Sequence, residues 1–262
     1  MDGPRGPLPA APFPTDFYDR PVLAVARDLL GATVRHGPIA VRVTEVEAYA
    51  GLDDPASHAA RGPTPRSAVM FGPPGRAYVY FIYGMHWCLN LVCGPAGTAA
   101  AVLIRAGEVV AGLEVARGRA PRLADRDLAR GPGRLARVLA VHGGLTGSVV
   151  TGGGPVTVET GHPIAETAVS TGPRIGLRVA RERPWRLWQT GDPTVSATPG
   201  ARAARAVRAG SSATESPDAT AIGGGSGKTA GRTASAEPPG GSVTPIERSA
   251  AGADGQDSAS VA

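Results

Sequence analysis

The composition of this chain changes abruptly near residue 197, and that change limits how much of the chain can fold. Residues 197–262 are mostly Ala, Gly, Ser, Thr and Pro, and every Phe, Tyr and Trp lies before residue 189. Such a segment buries too little apolar surface to offset the entropy of ordering it. We therefore predict a disordered low-complexity tail over 197–262, a folded domain over 15–196, and an extended, proline-rich lead-in over 1–14.

The charged residues narrow the possible functions. The predicted tail holds six basic and six acidic residues, so the whole net charge of +5 belongs to residues 1–196. This modest excess permits a nucleic-acid partner but does not require one. Lys228, in the tail, is the single lysine among 27 basic residues. The predicted domain therefore has no lysine side chain for a Schiff-base mechanism.

The sequence lacks the features of disulfide-rich, metal-binding, membrane-spanning and secreted proteins. Two cysteines are too few for a disulfide framework or a four-cysteine metal site, and the five histidines are scattered, so we predict no metal site. No apolar stretch reaches the roughly 18 residues that a membrane span needs. The first residues lack the apolar core of a signal peptide. We expect no cofactor, no membrane partner, a monomer, and a cytoplasmic setting that is associated with the nucleoid if the chain is bacterial.

The spacing of apolar residues and of Gly and Pro predicts a single mixed domain. The predicted helices cover 19–30, 109–117 and 133–142, and Asp19 is the predicted N-cap of the first helix. The predicted strands cover 32–35, 39–47, 76–83, 86–93, 99–104, 149–159, 174–179 and 186–189. The polar stretch 53–74 is expected to be a loop. The two strands that flank Gly84 and Met85 have the spacing of a tight hairpin. The predicted fold class is α+β, with a mostly antiparallel curved sheet, flanking helices and a protruding β-hairpin.

Two charged patterns lie on predicted strands. Alternation over residues 44–49 places Glu45, Glu47 and Tyr49 on one face. Acidic residues on an apolar strand are costly to bury unless they are paired, so this pattern taken alone favours a solvated strand face. Arg105 follows the apolar run 101–104. An arginine there is expected to be partly buried and to need an anion, either a carboxylate or a phosphate.

Three tyrosines are concentrated in the predicted hairpin. Tyr78 and Tyr80 share one face of a strand, where cross-strand packing explains them well. Packing explains Tyr83 poorly, because a hairpin tip is normally solvated. An aromatic ring held on such a tip is a candidate wedge for separating stacked bases. His58 lies in the predicted loop, where a lone histidine is more often a surface residue than a ligand.

The longest recognisable motif covers residues 44–92, TEVEAYAGLDDPASHAARGPTPRSAVMFGPPGRAYVYFIYGMHWCLNLV. It resembles the alkyladenine DNA glycosylase family, the 3-methyladenine DNA glycosylases of the mammalian type. Further segments look like family segments in the family's order: ARDLLG (26–31), LIRAGE (103–108), ARGPGRLARVLAV (129–141) and STGPRIGL (170–177). The resemblance covers about residues 15–196.

The resemblance implies a function and a partner. Enzymes of this family flip damaged purines out of double-stranded DNA and hydrolyse the N-glycosidic bond, as monofunctional glycosylases of base excision repair. Their substrates include 3-methyladenine, 7-methylguanine and often hypoxanthine. By the same resemblance, Glu47 is the base that activates water, Arg105 helps to hold that water and the nearby DNA backbone, and Tyr83 intercalates.

Further roles follow from the same resemblance. It implies a base pocket of Tyr49, His58, Tyr80 and Asn90, and DNA-backbone contacts by Thr64, Arg66, Met85 and Arg134. Asn90 would exclude normal guanine by clashing with its exocyclic amine. The chain departs from the family at His86, where a tyrosine is common. Because an unperturbed histidine titrates near about pH 6.5, we expect pH-dependent DNA binding at the hairpin.

Two alternatives to a glycosylase stay open on sequence alone. A non-catalytic module could recognise DNA damage with the same aromatic hairpin, and it would need Tyr83 but not Glu47. An enzyme on a related barrel-like fold, such as a formyltransferase-type domain, would make the match of acidic and aromatic residues accidental.

Overall fold

A computed structural model describes residues 10–197 of the chain. The predicted tail, apart from Ala197, and residues 1–9 of the predicted lead-in lie outside the described residues, so the predicted domain boundaries stay predictions. In the described part of the lead-in, Phe13 N donates to the Val158 carbonyl at 3.0 Å, and the Phe13 ring stacks on Phe17 with centroids 3.8 Å apart. No helix among the described residues is long and apolar enough to cross a membrane.

Residues 10–197 form eight strands with short helices between them. The helices are α1 (Thr15–Tyr18), α2 (Val22–Asp28), α3 (Leu113–Arg119) and α4 (Pro132–Val138). The strands are β1 (Thr33–His36), β2 (Ile39–Tyr49), β3 (Ala77–Ile82), β4 (His86–Cys93), β5 (Ala100–Ala111), β6 (Val156–Glu159), β7 (Val169–Gly172) and β8 (Arg186–Gln189). Short 3-10 helices lie at Ala68–Phe71, Asp125–Asp127, Gly143–Leu145 and Glu166–Ala168.

All strand pairs of the sheet are antiparallel, and β2 lies at its centre. The strand order is β3-β4-β5-β2-β1-β6. Along one edge β2 pairs with β5, and along the other edge it pairs first with β1 and then with β8, which in turn pairs with β7. This curled antiparallel sheet with flanking helices confirms the predicted α+β fold class.

The two faces of the sheet differ in chemistry. Helices α2 and α4 pack on one face, where the buried core includes Val25, Leu29, Leu135 and Ile104. Burial of side chains of this size contributes roughly 1.5–3 kcal/mol each. The opposite face carries the acidic and aromatic side chains of the functional site. One face of the sheet therefore packs against the helices, and the other face holds the side chains of the functional site.

A β-bulge between β2 and β5 determines where Arg105 lies. Glu47 lies opposite Leu103 and Val46 lies opposite Ile104, but the next residue of β2, Glu45, lies opposite Ala106. Arg105 is therefore skipped and has no direct partner on β2. A bulge of this kind commonly redirects a side chain at a site. Next to it, a side chain on Gly107 would lie 2.3 Å from the Arg42 carbonyl oxygen, so the close approach of the two strands requires glycine.

Several predicted boundaries are wrong. Residues 109–111 continue β5 instead of starting a helix, because Val109 pairs with Val41; the turn at Gly112, with φ +73°, then allows α3 to begin. No strand forms at 174–179, because Pro173 cannot donate to a ladder and Gly176 has φ +80°. Of the predicted strand 149–159 only β6 is regular.

Two smaller features also differ from the prediction. The N-cap of α2 is Pro21 and not Asp19, and Pro21 makes no side-chain capping hydrogen bond. In the hairpin, the turn is built by Tyr83 and Gly84, both with positive φ, and Met85 N donates to the Ile82 carbonyl at 3.2 Å. This is the backbone pattern of a primed hairpin turn, which matches the twist of the strands.

Candidate active site

Strand β2 brings Glu45, Glu47 and Tyr49 to the same face of the sheet, as alternation predicts. The expectation of a solvated face is wrong, because both carboxylates are fully buried. Segments far along the chain cover them, including Ile175 and Ser196. The cost of burying the charges is offset by paired donors, which are the arrangement that such acids require.

The Glu47 carboxylate is held by three donors. Its Oε1 accepts from Ile175 N at 2.7 Å and from Arg105 Nη1 at 3.1 Å, and its Oε2 accepts from the Tyr49 hydroxyl at 2.8 Å. Burial and the neighbouring Glu47 charge raise the pKa of Tyr49, so that hydroxyl stays protonated and donates. These contacts fix the orientation of Glu47 before any substrate binds.

Arg105 bridges the two buried acids. Its Nε donates to Glu45 Oε1 at 2.9 Å while its Nη1 donates to Glu47. Burial opposes the charge of Arg105, but Glu47 and Glu45 outweigh it and raise the pKa of Arg105. The predicted anion of Arg105 is therefore a pair of carboxylates. Glu45 also accepts from Arg186 Nε at 2.6 Å and from Ser196 N at 2.6 Å, which balances its charge.

The aromatic side chains of the hairpin and loop meet beside these acids. The His58 ring contacts the Tyr80 ring edge-on, with centroids 4.6 Å apart, and Tyr78 lies 5.5 Å from Tyr80. Burial raises the pKa of Tyr80, so its hydroxyl is neutral. The buried Asn90 donates from Nδ2 to the Tyr78 carbonyl at 3.1 Å, which fixes its amide.

His58 is neutral at physiological pH. Partial burial of the ring, together with the positive charge of Arg66, lowers the pKa of His58 to about 4. Its Nδ1 lies 2.8 Å from the Tyr78 hydroxyl. When that hydroxyl donates to Nδ1, the ring hydrogen is on Nε2, where it can serve as a hydrogen-bond donor.

Tyr83 lies at the tip of the hairpin and is 76% exposed. Its φ of +54° is in the left-handed region, which is a strained conformation for a bulky residue. Phe81 and Met85, on either side of it, are also exposed apolar residues. Phe81 also packs on Trp87, with ring centroids 4.7 Å apart. The tip therefore presents a group of exposed apolar side chains, with Tyr83 the most exposed of the three.

A cavity of about 280 Å³ connects these groups. Seven of the residues that the sequence singles out line it: Glu47, Tyr49, His58, Tyr80, Tyr83, Asn90 and Arg105. Pockets for drug-sized ligands measure about 300–1,000 Å³, so this volume suits a smaller planar group, such as one base with part of its sugar. The carboxylate in the wall and the ring at the hairpin tip thus share one cavity.

The four residues that the resemblance places on the DNA backbone lie outside this cavity. Thr64 exchanges hydrogen bonds with Ser67 and so holds the loop, and the Arg66 guanidinium lies 4.9 Å from the centre of the Tyr80 ring. Met85 is 66% exposed at the tip. Arg134 is exposed on α4 and donates to the Asp127 carbonyl at 3.3 Å. Their contacts with DNA stay predictions.

Sequence reasoning missed several residues of the cavity, among them Tyr78, Leu103, Gly133, Ile175 and Leu177. The position of Tyr78, two residues before Tyr80, could have indicated it, because both residues share a strand face. His86 also lines the cavity and packs on Gly133, where a side chain would lie 2.8 Å from the His86 ring. The 175–177 segment carries no local signal, since it reaches the site only through the tertiary fold.

A buried ion pair lies next to Tyr49 and supports this part of the cavity. Arg174 and Asp54 are fully buried, and Arg174 donates to both Asp54 oxygens, at 2.5 and 2.8 Å. The same guanidinium donates to the Ala48 carbonyl at 2.9 Å and lies 4.6 Å from the centre of the Tyr49 ring. Arg174 therefore connects the loop, the end of β2 and the segment that begins with Ile175.

The remaining chemistry of residues 10–197 is simple. No group of His, Cys, Asp and Glu within this range could hold a metal ion. Cys88 and Cys93 are buried free thiols. Burial raises the pKa of Cys88, so its thiol is protonated and not a ready nucleophile.

The fold and the site define a class of protein, an α+β domain that encloses a small aromatic pocket around a buried carboxylate. The family model described as methylpurine-DNA glycosylase (MPG) matches residues 16–193. A Frankia casuarinae protein named "Putative 3-methyladenine DNA glycosylase" is 66% identical over 197 residues, which cover 71% of this chain and 93% of that protein. Proteins of the same name from Streptomyces avermitilis and Nocardia farcinica are 53% and 49% identical, over 71% and 70% of this chain and 91% and 92% of their own lengths.

The chain belongs to the methylpurine-DNA glycosylase family. It is therefore an enzyme, a DNA glycosylase of DNA repair that hydrolyses N-glycosyl bonds and has DNA as its substrate. The family and the enzyme class predicted from the sequence are confirmed.

Proposed function

We propose that the cavity binds one damaged purine extruded from duplex DNA, and that water directed by Glu47 hydrolyses its N-glycosidic bond. The observation that supports this most is that the buried Glu47 and the exposed Tyr83 line the same cavity of about 280 Å³. Tyr83 would fill the gap that the extruded nucleotide leaves in the base stack, as apolar wedges do. Tyr49, His58 and Tyr80 would then enclose the base.

The proposed reaction balances without a cofactor. As the C1′–N bond breaks, its electron pair goes to the leaving base and positive charge develops on the sugar. The Glu47 carboxylate stabilises that charge, orders the attacking water and accepts its proton. Arg105 holds Glu47 in position at 3.1 Å. Because residues 1–196 contain no lysine, we propose a monofunctional enzyme that leaves an abasic site.

We propose alkylated purines as the substrates, 3-methyladenine and 7-methylguanine first. An alkylated purine already carries positive charge, so it is an activated leaving group and stacks favourably on electron-rich tyrosine rings. The substrate in the names of the relatives, 3-methyladenine, supports this assignment. Asn90 would exclude normal guanine through its exocyclic amine. For hypoxanthine, which is neutral, the Nε2–H of the neutral His58 would supply a hydrogen-bond donor.

A panel of lesions tests this proposal. Short duplexes that contain 3-methyladenine, 7-methylguanine, hypoxanthine or undamaged purines are incubated with the protein and scored for abasic sites after alkali. We expect release of the two alkylated bases without any added cofactor, and no release of normal guanine. Release of none of the lesions would overturn the proposed substrates. That the enzyme acts as a monomer, in the cytoplasm and on nucleoid DNA, stays a prediction.

A further inference from the structure

A second cavity, of about 730 Å³, opens directly beside the base pocket. Arg105, His86 and Gly133 line both cavities. A chain that leaves the base pocket along these three residues therefore enters the second cavity. We name the second cavity the arginine groove, because its wall includes Arg105, Arg122, Arg130, Arg134 and Arg137.

The charge in the arginine groove is strongly one-sided. Among the described residues that line it, Asp127 is the one acidic residue, and it already accepts from Arg130 at 3.2 Å and lies 3.8 Å from Arg134. Arg122 and Arg137 are exposed, and their side chains make no hydrogen bond or ion pair within residues 10–197. These two guanidiniums are therefore available to an external anion.

We infer that the arginine groove holds phosphates of the DNA strand that continues from the extruded nucleotide, with Arg122 and Arg137 as direct phosphate contacts. This inference rests on the proposed function, because an extruded nucleotide remains joined to its strand through its phosphates. Guanidiniums bind phosphate oxygens in pairs of parallel hydrogen bonds. Hydrogen bonds to the protein fix the side chains of Arg105 and Arg130 in the wall of the groove. The side chains of Arg122 and Arg137 line the same groove and are exposed.

The salt dependence of DNA binding tests the inference. Each phosphate contact contributes about 0.9 to the slope of log K against log salt for duplex DNA. We expect the double variant R122A/R137A to lower the slope by about 1.8, so that its affinity changes about tenfold less than that of the wild type between roughly 50 and 200 mM salt.

R126A is the matched control. Arg126 lies in the same segment and its side chain is 69% exposed, but it does not line the arginine groove. Its slope should equal that of the wild type. An unchanged slope in R122A/R137A, an equal fall in R126A, or tighter DNA binding by the double variant would overturn the inference. Wild-type protein that releases no damaged base would instead overturn the proposed function, so the two failures are distinguishable.

Discussion

The buried pair of Asp54 and Arg174 gives a quantitative prediction about how the base pocket is supported. In Asp54→Asn the side chain keeps its shape but loses its charge, so the fully buried Arg174 guanidinium has no counterion. Arg174 donates to both oxygens of Asp54, and in the variant an NH2 group replaces one of these oxygens. The amide N–H hydrogens then face the Arg174 guanidinium, which can only donate. Removing one partner of a buried pair costs about 3–5 kcal/mol. For a domain of about 150–250 residues this corresponds to a fall of roughly 6–20 °C in Tm.

Urea unfolding measures this loss, and two further variants show its origin. In D54N/R174M the uncompensated charge is gone, and we expect most of the stability to return, because apolar replacement of a buried pair is often nearly neutral. Asp125→Asn breaks the exposed pair of Asp125 with Arg117, whose side chains are 52% and 44% exposed. That change should cost far less stability, because solvent and salt screen the charges of an exposed pair. Equal unfolding free energies for D54N and D125N would refute the reasoning.

Two further predictions concern the wedge and the pocket histidine. Tyr83→Ser should weaken binding to a lesion-containing duplex by about 5- to 150-fold, because a stacked aromatic contributes about 1–3 kcal/mol; Tyr83→Phe should bind normally, and unaltered affinity of the Ser variant in a titration would remove the wedge. The folded protein holds the pKa of His58 at about 4, below the unfolded value of about 6.5, so the unfolded chain binds more protons between these values. The His58 contribution to stability is complete above about pH 6.5 and is lost as the pH falls toward 4. The free energy of unfolding, measured in urea at pH 7 and at pH 5, should therefore fall more for the wild type than for His58→Gln. An equal fall in the two proteins would contradict this prediction.

Local patterns were sufficient for the strands that carry the chemistry. Alternation placed Glu47 and Tyr49 on one face of β2, and the spacing about Gly84 placed Tyr83 at the hairpin tip, because side-chain direction in a strand depends only on parity. The resemblance then identified which of these residues belong together, and the structure brings them to one cavity.

Features that depend on distant segments could not be predicted in this way. Burial of Glu45 depends on Ser196, and the support of Tyr49 depends on Arg174, both more than 120 residues away in the chain. No local periodicity reports such contacts. The boundary at Gly112 was also missed, since Val109 fits a strand or a helix until its partner Val41 is known.

Glu47→Gln is the most direct test of the central claim, that the Glu47 carboxylate activates water beside an extruded base. The substitution is conservative, because a glutamine oxygen can accept from Ile175 N and Arg105 Nη1 while its amide donates to the Tyr49 oxygen, in place of the three present hydrogen bonds. We predict that single-turnover release of 7-methylguanine falls by about 10²–10⁴-fold, while the affinity for the lesion duplex is retained. Release at the wild-type rate would contradict the account.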